Sequence, residues 1–111
     1  MNFEDVVSKA IAFRDERDWR QFHNAKDLAI SINLEASELL ELFQWSGDDL
    51  EARHNTDAIK DELADVVIYC AYLADHLGVD LAEIMNEKIE ANAKKYPVER
   101  SKGSSRKYTE L

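Results

Sequence analysis

The sequence predicts an all-α protein, on three observations. Apolar residues recur at helical spacing in four segments, capping residues stand at the ends of these segments, and the 111 residues include only three Gly and one Pro. So few turn-forming residues leave little material for the many turns of an all-β fold. We therefore predict one four-helix domain over residues 1–96, followed by a basic C-terminal tail over residues 97–111.

The first two helices have clear start signals. Asn2 can begin a helix whose apolar stripe continues to about Asp15. The following stretch, 16–23, breaks this periodicity. Asn24 can then cap a second helix over residues 25–43, and a turn with Trp45 near its start ends it.

The third and fourth helices are bounded in the same way. Thr56 can cap a long third helix that stops at Gly78, because glycine tolerates the left-handed conformation that often follows a helix. Asp80 can cap a fourth helix over residues 81–95. Pro97 prevents its continuation, since proline lacks the backbone N–H that a helix interior needs.

Composition excludes several functional classes. The single cysteine, Cys70, permits neither an intrachain disulfide nor a Cys-based zinc site. No apolar run approaches the ~20 residues of a membrane span, and the N-terminus is acidic, so we expect a cytoplasmic protein without a membrane partner. The net charge is −9, with −13 on residues 1–93 and +4 on residues 94–111. An acidic body disfavours nucleic-acid binding.

Two acidic pairs coincide with apolar helix stripes. Glu35 and Glu38 are three residues apart on the second helix, and Glu62 and Asp65 on the third, so each pair shares a helix face. Burying unpaired carboxylates costs several kcal/mol, and no Lys or Arg of these helices shares the stripes. This pattern predicts a divalent cation, and all-oxygen donors favour Mg²⁺, with Mn²⁺ as a substitute.

Two other interpretations of the acidic pairs are open. They could be surface carboxylates on helices that pack through other faces. They could also belong to a di-iron bundle, which needs inward Glu-x-x-His motifs from two helices. The only such string is 51–54, in a segment with poor periodicity, which disfavours the di-iron alternative.

Basic and aromatic residues supply candidate groups for a phosphorylated ligand. On the fourth helix a phosphate-binding face is formed by Lys88, Asn92 and Lys95. Aromatic rings at the two ends of the second helix could stack on a base or fill the core; they are Trp19, Phe22, His23 and Trp45.

Several strings resemble the MazG-like nucleoside triphosphate pyrophosphohydrolases, and in particular their small dCTP pyrophosphatase-like branch. These strings are WRQFHN (19–24), LEASELLELFQW (34–45), DELADVVIY (61–69) and NAKKYPV (92–98). The resemblance extends from about residue 13 to residue 111, and its centre is an ExxE motif followed by ExxD. Leu34 stands where many members have an additional acidic residue, a departure that the dCTP pyrophosphatase branch shares.

The resemblance implies a Mg²⁺-dependent enzyme that cleaves a (deoxy)nucleoside triphosphate to the monophosphate and pyrophosphate, assembled as a dimer or tetramer. From metal chemistry we expect Glu35, Glu38, Glu62 and Asp65 to hold the metal, with Glu38 and Glu35 as catalytic carboxylates and Glu38 orienting or deprotonating the attacking water. The expected substrate-binding residues are Trp19, His23, Trp45, Tyr69, Lys88, Asn92, Lys95, Lys102 and Tyr108. Apart from the resemblance, Ile30 and Leu34 make a second apolar side on the second helix, which also favours oligomerisation.

Two alternative functions are open at this point. One is a non-catalytic helical interaction module whose acidic pairs only bind cations or a basic partner. The other is a related pyrophosphohydrolase that acts on phosphoribosyl-ATP. The aromatic residues near the acidic motif favour an enzyme that binds a nucleotide base.

Overall fold

The computed structural model describes all 111 residues and contains helices and turns without any strand. The all-α prediction is therefore confirmed. None of the helices combines the length and the apolar character that crossing a bilayer requires. The helices are α1 (Phe3–Glu16), α2 (Ala25–Glu41), α3 (Thr56–Leu77), α4 (Leu81–Lys95) and α5 (Val98–Ser101), with short 3-10 turns at Trp19–Phe22, Arg53–Asn55 and Tyr108–Glu110.

The predicted number of four helices is wrong by one short helix. α5 is a single turn inside the segment expected to be an irregular tail. Pro97 separates α4 from α5 as expected, and it is also the N-cap residue of α5. Its φ of −62° and ψ of 141° place it directly before the first helical residue, where a missing N–H costs nothing.

Three predicted helix starts are confirmed by their capping hydrogen bonds. The side chains of Asn2, Asn24 and Asp80 each accept a hydrogen bond from the backbone N–H three residues later, at 2.9, 2.8 and 3.1 Å. These bonds satisfy one of the N–H groups that a helix start leaves unpaired. The Gly78 stop is also confirmed, with the glycine in the left-handed region at φ +70°.

Two boundaries differ from the prediction. Thr56 does not cap α3, because it is already the first helical residue and its hydroxyl donates to the Arg53 carbonyl at 2.8 Å. α2 ends at Glu41 and not at Phe43, because its last turn tightens into bonds between residues three apart, such as Phe43 N–H to Leu40 carbonyl at 3.0 Å.

The chain divides into two compact units, Met1–Gly78 and Val79–Leu111. In the first unit α2 packs along α3, and α1 packs on α3 as well. The fully buried apolar set of this unit is small and consists of Leu28, Ala52, Ala71, Tyr72 and Ala74. The α2–α3 pair therefore forms the rigid centre on which the acidic motifs are placed.

Candidate metal centre and adjoining pocket

Three carboxylates converge where α2 packs along α3. One oxygen each from Glu35, Glu62 and Asp65 lies within 4.8 Å of the other two. Glu35 comes from α2, whereas Glu62 and Asp65 stand one helical turn apart on α3. The Oε2 atoms of Glu35 and Glu62 are buried and have no hydrogen-bond partner. Two helices thus bring unpaired acceptor atoms to one place.

Burial and nearby carboxylates raise the pKa of both glutamates. Burial is the largest cause for Glu35, and the neighbouring Glu62, Glu38 and Asp65 add to it, so that its pKa rises from 4.5 to about 7. The pKa of Glu62 is also raised, first by burial and then by Glu38 and Asp65, whereas its interaction with Glu35 lowers it. None of the ion pairs in the protein involves these groups. The site therefore lacks a positive charge of its own.

This donor set fits a divalent cation. Oxygen ligands surround Mg²⁺ at about 2.0–2.1 Å and Ca²⁺ at about 2.3–2.6 Å, so two ligands of one ion lie at most about 4–5 Å apart. The 4.8 Å grouping is within a small side-chain adjustment of that limit. A bound cation would coordinate the two unpaired Oε2 atoms and offset the repulsion among three carboxylates.

Glu38 borders this cluster without being part of the three-residue group. It is exposed on α2, one turn after Glu35, and its charge raises the pKa of both Glu35 and Glu62. Its roles as a metal ligand and in activating water stay predictions. The structure brings together three of the four expected carboxylates and leaves the fourth beside them.

An apolar pocket of about 370 Å³ adjoins the cluster and shares Asp65 with it. This volume lies within the range of about 300–1,000 Å³ that is usual for small-molecule sites. Phe13 and Trp19 meet edge to face in its wall, with ring centroids 5.7 Å apart. The pocket is lined by Val6, Lys9, Ala10 and Phe13 of α1, by Trp19, and by Asp65, Ile68, Tyr69 and Tyr72 of α3. Two predicted binding residues, Trp19 and Tyr69, therefore share a cavity with a predicted metal ligand.

His23 and Trp45, the other predicted aromatic binding residues of the first unit, do not line this pocket. His23 packs on Tyr72 with ring centroids 5.3 Å apart, and its pKa is lowered first by burial and then by the charge of Arg14. Trp45 is 90% exposed and has φ +68°, a conformation that costs a non-glycine residue about 1–2 kcal/mol. Each role in binding stays a prediction.

The remaining predicted binding residues belong to the second unit. Lys95 and Tyr108 are brought together there, with Lys95 Nζ 4.9 Å from the centroid of the Tyr108 ring. Tyr108 also meets Tyr96 edge to face at 5.9 Å. The other three, Lys88, Asn92 and Lys102, are exposed. Lys88, Asn92 and Lys102 are therefore accessible to solvent, and their role in phosphate binding stays a prediction.

Sequence reasoning missed Tyr72 in the pocket wall and the adjoining pair of Arg14 and Asp75. A signal was present, because Arg14 lies four residues after Ala10 on the apolar stripe of α1. A charge on an apolar stripe is the same observation that identified Glu35. Applied to α1, it would have indicated a buried arginine and a search for its acidic partner.

The raised pKa of Glu35 leads to a prediction for the metal-free protein. A carboxyl whose pKa is higher in the folded than in the unfolded state destabilises the fold once pH exceeds its unfolded value, and the full penalty applies above its folded value. For Glu35 the rise from 4.5 to about 7 means that the penalty grows between pH 4.5 and pH 7 and is largest above pH 7. We expect Glu35→Gln to be more stable than the wild type at pH 8 in EDTA, with the difference shrinking as pH falls towards 4.5.

Urea unfolding at pH 8 and pH 5 measures this difference. The matched control is Glu41→Gln, which changes an exposed glutamate of the same helix and should leave the unfolding free energy nearly unchanged at both pH values. A Glu35→Gln protein that is less stable at pH 8 would mean that the carboxylate has a favourable partner.

Comparison with known proteins agrees with this geometry. The model of the MazG-like family matches residues 30–111, the span that carries all four predicted metal ligands. The chain is 39% identical over 113 residues to dCTP pyrophosphatase 1 of Mus musculus and, equally, of Homo sapiens, covering 97% of this chain and 66% of each relative. It thus spans just under two thirds of their length. A solved pyrophosphatase of Archaeoglobus fulgidus is similar with a TM-score of 0.78 and 38% identity, over 85% of this chain and 91% of that one. The chain belongs to the MazG-like family.

Proposed function

We propose that this protein is a Mg²⁺-dependent nucleoside triphosphate pyrophosphohydrolase. It would convert a (deoxy)nucleoside triphosphate to the monophosphate and pyrophosphate, in the cytoplasm, and so clear unwanted nucleotides from the pool. The observation that carries the proposal is the pair of buried, unpartnered oxygens of Glu35 and Glu62 beside an apolar pocket. The names of the relatives, dCTP pyrophosphatase 1 and a pyrophosphatase, support the same reaction class.

The two parts of the site suit the two ends of a nucleotide. A cation held by Glu35, Glu62 and Asp65 would neutralise phosphate oxygens, since Mg²⁺ commonly shares its coordination between carboxylates and phosphates. The aromatic pocket that shares Asp65 would take the base, because bases stack favourably on rings such as those of Trp19 and Tyr69. A base-binding pocket favours a nucleotide substrate over a purely structural cation site.

The carboxylates would have different roles in the reaction. When bound, divalent ions supply charge neutralisation at phosphorus and lower the pKa of coordinated water. Glu38 is exposed at the border of the cluster, and from there it would orient a water molecule or accept its proton. Glu35 and Glu62 hold their positions through the packing of α2 along α3. On the second unit, the exposed Lys88 and Asn92 of α4 are further candidates for phosphate binding.

We expect pyrophosphate, and not orthophosphate, to be the primary product when eight NTPs and dNTPs are assayed with Mg²⁺. EDTA should abolish the reaction, because without the cation the carboxylates repel the triphosphate. Glu62→Gln should lower kcat/KM about 100-fold or more, a loss typical of removing a group that stabilises transition-state charge. Product analysis by ³¹P NMR separates the two phosphate products.

The matched control is Glu51→Gln. It alters an exposed glutamate outside the four sequence strings that resemble the family, and it should leave kcat/KM unchanged. Hydrolysis that persists in excess EDTA would contradict the metal-dependent mechanism. Turnover of phosphoribosyl-ATP alone would favour the related pyrophosphohydrolase, and binding of cations without any turnover would favour the interaction module.

We also propose that the protein acts as a homo-oligomer. Ile30 and Leu34, one turn apart on α2, are 49% and 56% exposed, and Leu63 on α3 is 54% exposed. Monomeric proteins rarely leave contiguous apolar patches without a function. A second copy would bury these side chains, as expected from the second apolar side of α2.

Light scattering after gel filtration should give a dimer or tetramer for the wild type. Leu34→Lys should shift it towards the monomer, because a lysine in the proposed interface would have to lose its hydration. Leu50→Lys, at an exposed leucine outside the helices, serves as the control and should retain the wild-type mass. A monomeric wild type would contradict the proposal.

A further inference from the structure

A buried arginine outside the carboxylate cluster connects two helices. Arg14 of α1 is only 1% exposed and is the one charged residue of the protein in the buried class. Its Nη1 donates a hydrogen bond of 2.9 Å to Asp75 Oδ2 of α3, while its Nε donates one of 2.9 Å to the adjacent Asp15. Removing one partner from such a buried pair leaves an uncompensated charge, so this connection resists opening.

Tyr72 adds a second connection at the same place. Its hydroxyl donates a hydrogen bond of 2.9 Å to the backbone carbonyl of Ala10 in α1. The guanidinium carbon of Arg14 lies 5.5 Å from the centroid of the Tyr72 ring, within the range of cation–π attraction. The Arg14–Asp75 and Tyr72–Ala10 bonds are the only side-chain hydrogen bonds that join α1 to α3.

This connection, which we call the α1–α3 clamp (Arg14, Tyr72 and Asp75), directly adjoins the pocket. Ala10 and Tyr72 are themselves pocket-lining residues, and Arg14 follows the lining residue Phe13. One wall of the pocket belongs to α1 and the opposite wall to α3, so the pocket is as wide as the separation of these helices. Phe13 is still 45% exposed, so apolar burial alone holds this wall weakly.

We infer that Arg14, Tyr72 and Asp75 are positioning residues that set the width of the pocket, and through it the affinity for the base of the nucleotide. The inference rests on the proposed function. The carboxylates Glu35 and Glu62 lie on α2 and α3, which pack together independently of α1. Loosening the clamp therefore weakens nucleotide binding and leaves the hydrolytic step intact.

Tyr72→Phe and Asp75→Asn test this division between binding and chemistry. Tyr72→Phe removes the hydroxyl that bonds to Ala10 and retains the ring in the pocket wall. We expect each variant to raise KM for the best substrate about 3- to 10-fold, the range for losing one net hydrogen bond, with kcat within about twofold of the wild type. The control Asp57→Asn, at an exposed position in the first turn of α3, should change neither constant.

A binding measurement complements the kinetics. Isothermal titration calorimetry measures this binding directly and leaves both tryptophans, Trp19 and Trp45, in place. Titration with the monophosphate product should give a Kd raised by the same 3- to 10-fold in the clamp variants, while their affinity for Mn²⁺ alone equals that of the wild type. A merely structural role would alter Mn²⁺ affinity and kcat together with KM.

The outcomes separate the inference from the function on which it rests. A wild type without hydrolysis of any nucleotide overturns the proposed function and the inference with it. A wild type that hydrolyses nucleotides, together with unchanged KM in Tyr72→Phe and Asp75→Asn, overturns the inference alone. A fall in kcat at constant KM also overturns it. If Asp75→Asn fails to fold, Tyr72→Phe decides the question by itself.

Discussion

The convergence of the Glu35 and Glu62 carboxylates across the α2–α3 contact is the constraint on which the site depends. Each places a buried oxygen without a hydrogen-bond partner at the same point, and no basic side chain pairs with either. Burial first, and then the neighbouring carboxylates, raise the pKa of Glu35 to about 7, so the metal-free protein lowers this cost by retaining protons. A bound divalent cation would offset the negative charge of the carboxylates and would coordinate their unpaired oxygens.

The buried Arg14 and the half-buried glutamates Glu35 and Glu62 are two kinds of charge with opposite consequences. Arg14 is paired within the chain by Asp15 and Asp75, so its charge holds α1 against α3. The glutamates are unpaired within the chain, so their charge is available to an external ligand. The pocket lies between these two features, with Asp65 at one edge and Tyr72 on another. A ligand with metal-bound phosphates and a nucleotide base needs a pocket whose walls are held in position and carboxylates that are free to bind a cation.

Local signals predicted much of this structure. Side-chain caps at Asn2, Asn24 and Asp80 act within one turn, so the sequence alone identifies them. The acidic pairs were recognisable because a carboxylate on an apolar stripe is costly anywhere. The Arg14–Asp75 pair spans 61 positions, and only the packing of α1 on α3 brings it together. α5 was missed because one helical turn has no periodicity of its own to read.

The most direct test of this account is calorimetric titration of the metal-free protein with Mg²⁺ or Mn²⁺ at pH 7 in two buffers of different ionisation enthalpy. Because the pKa values of Glu35 and Glu62 are both raised, that of Glu35 to about 7, we predict that binding releases protons at pH 7 and fewer at pH 8.5, and that Glu62→Gln greatly weakens binding. Metal binding without proton release, or with equal affinity in Glu62→Gln, would contradict the claim that Glu35 and Glu62 together bind a divalent cation.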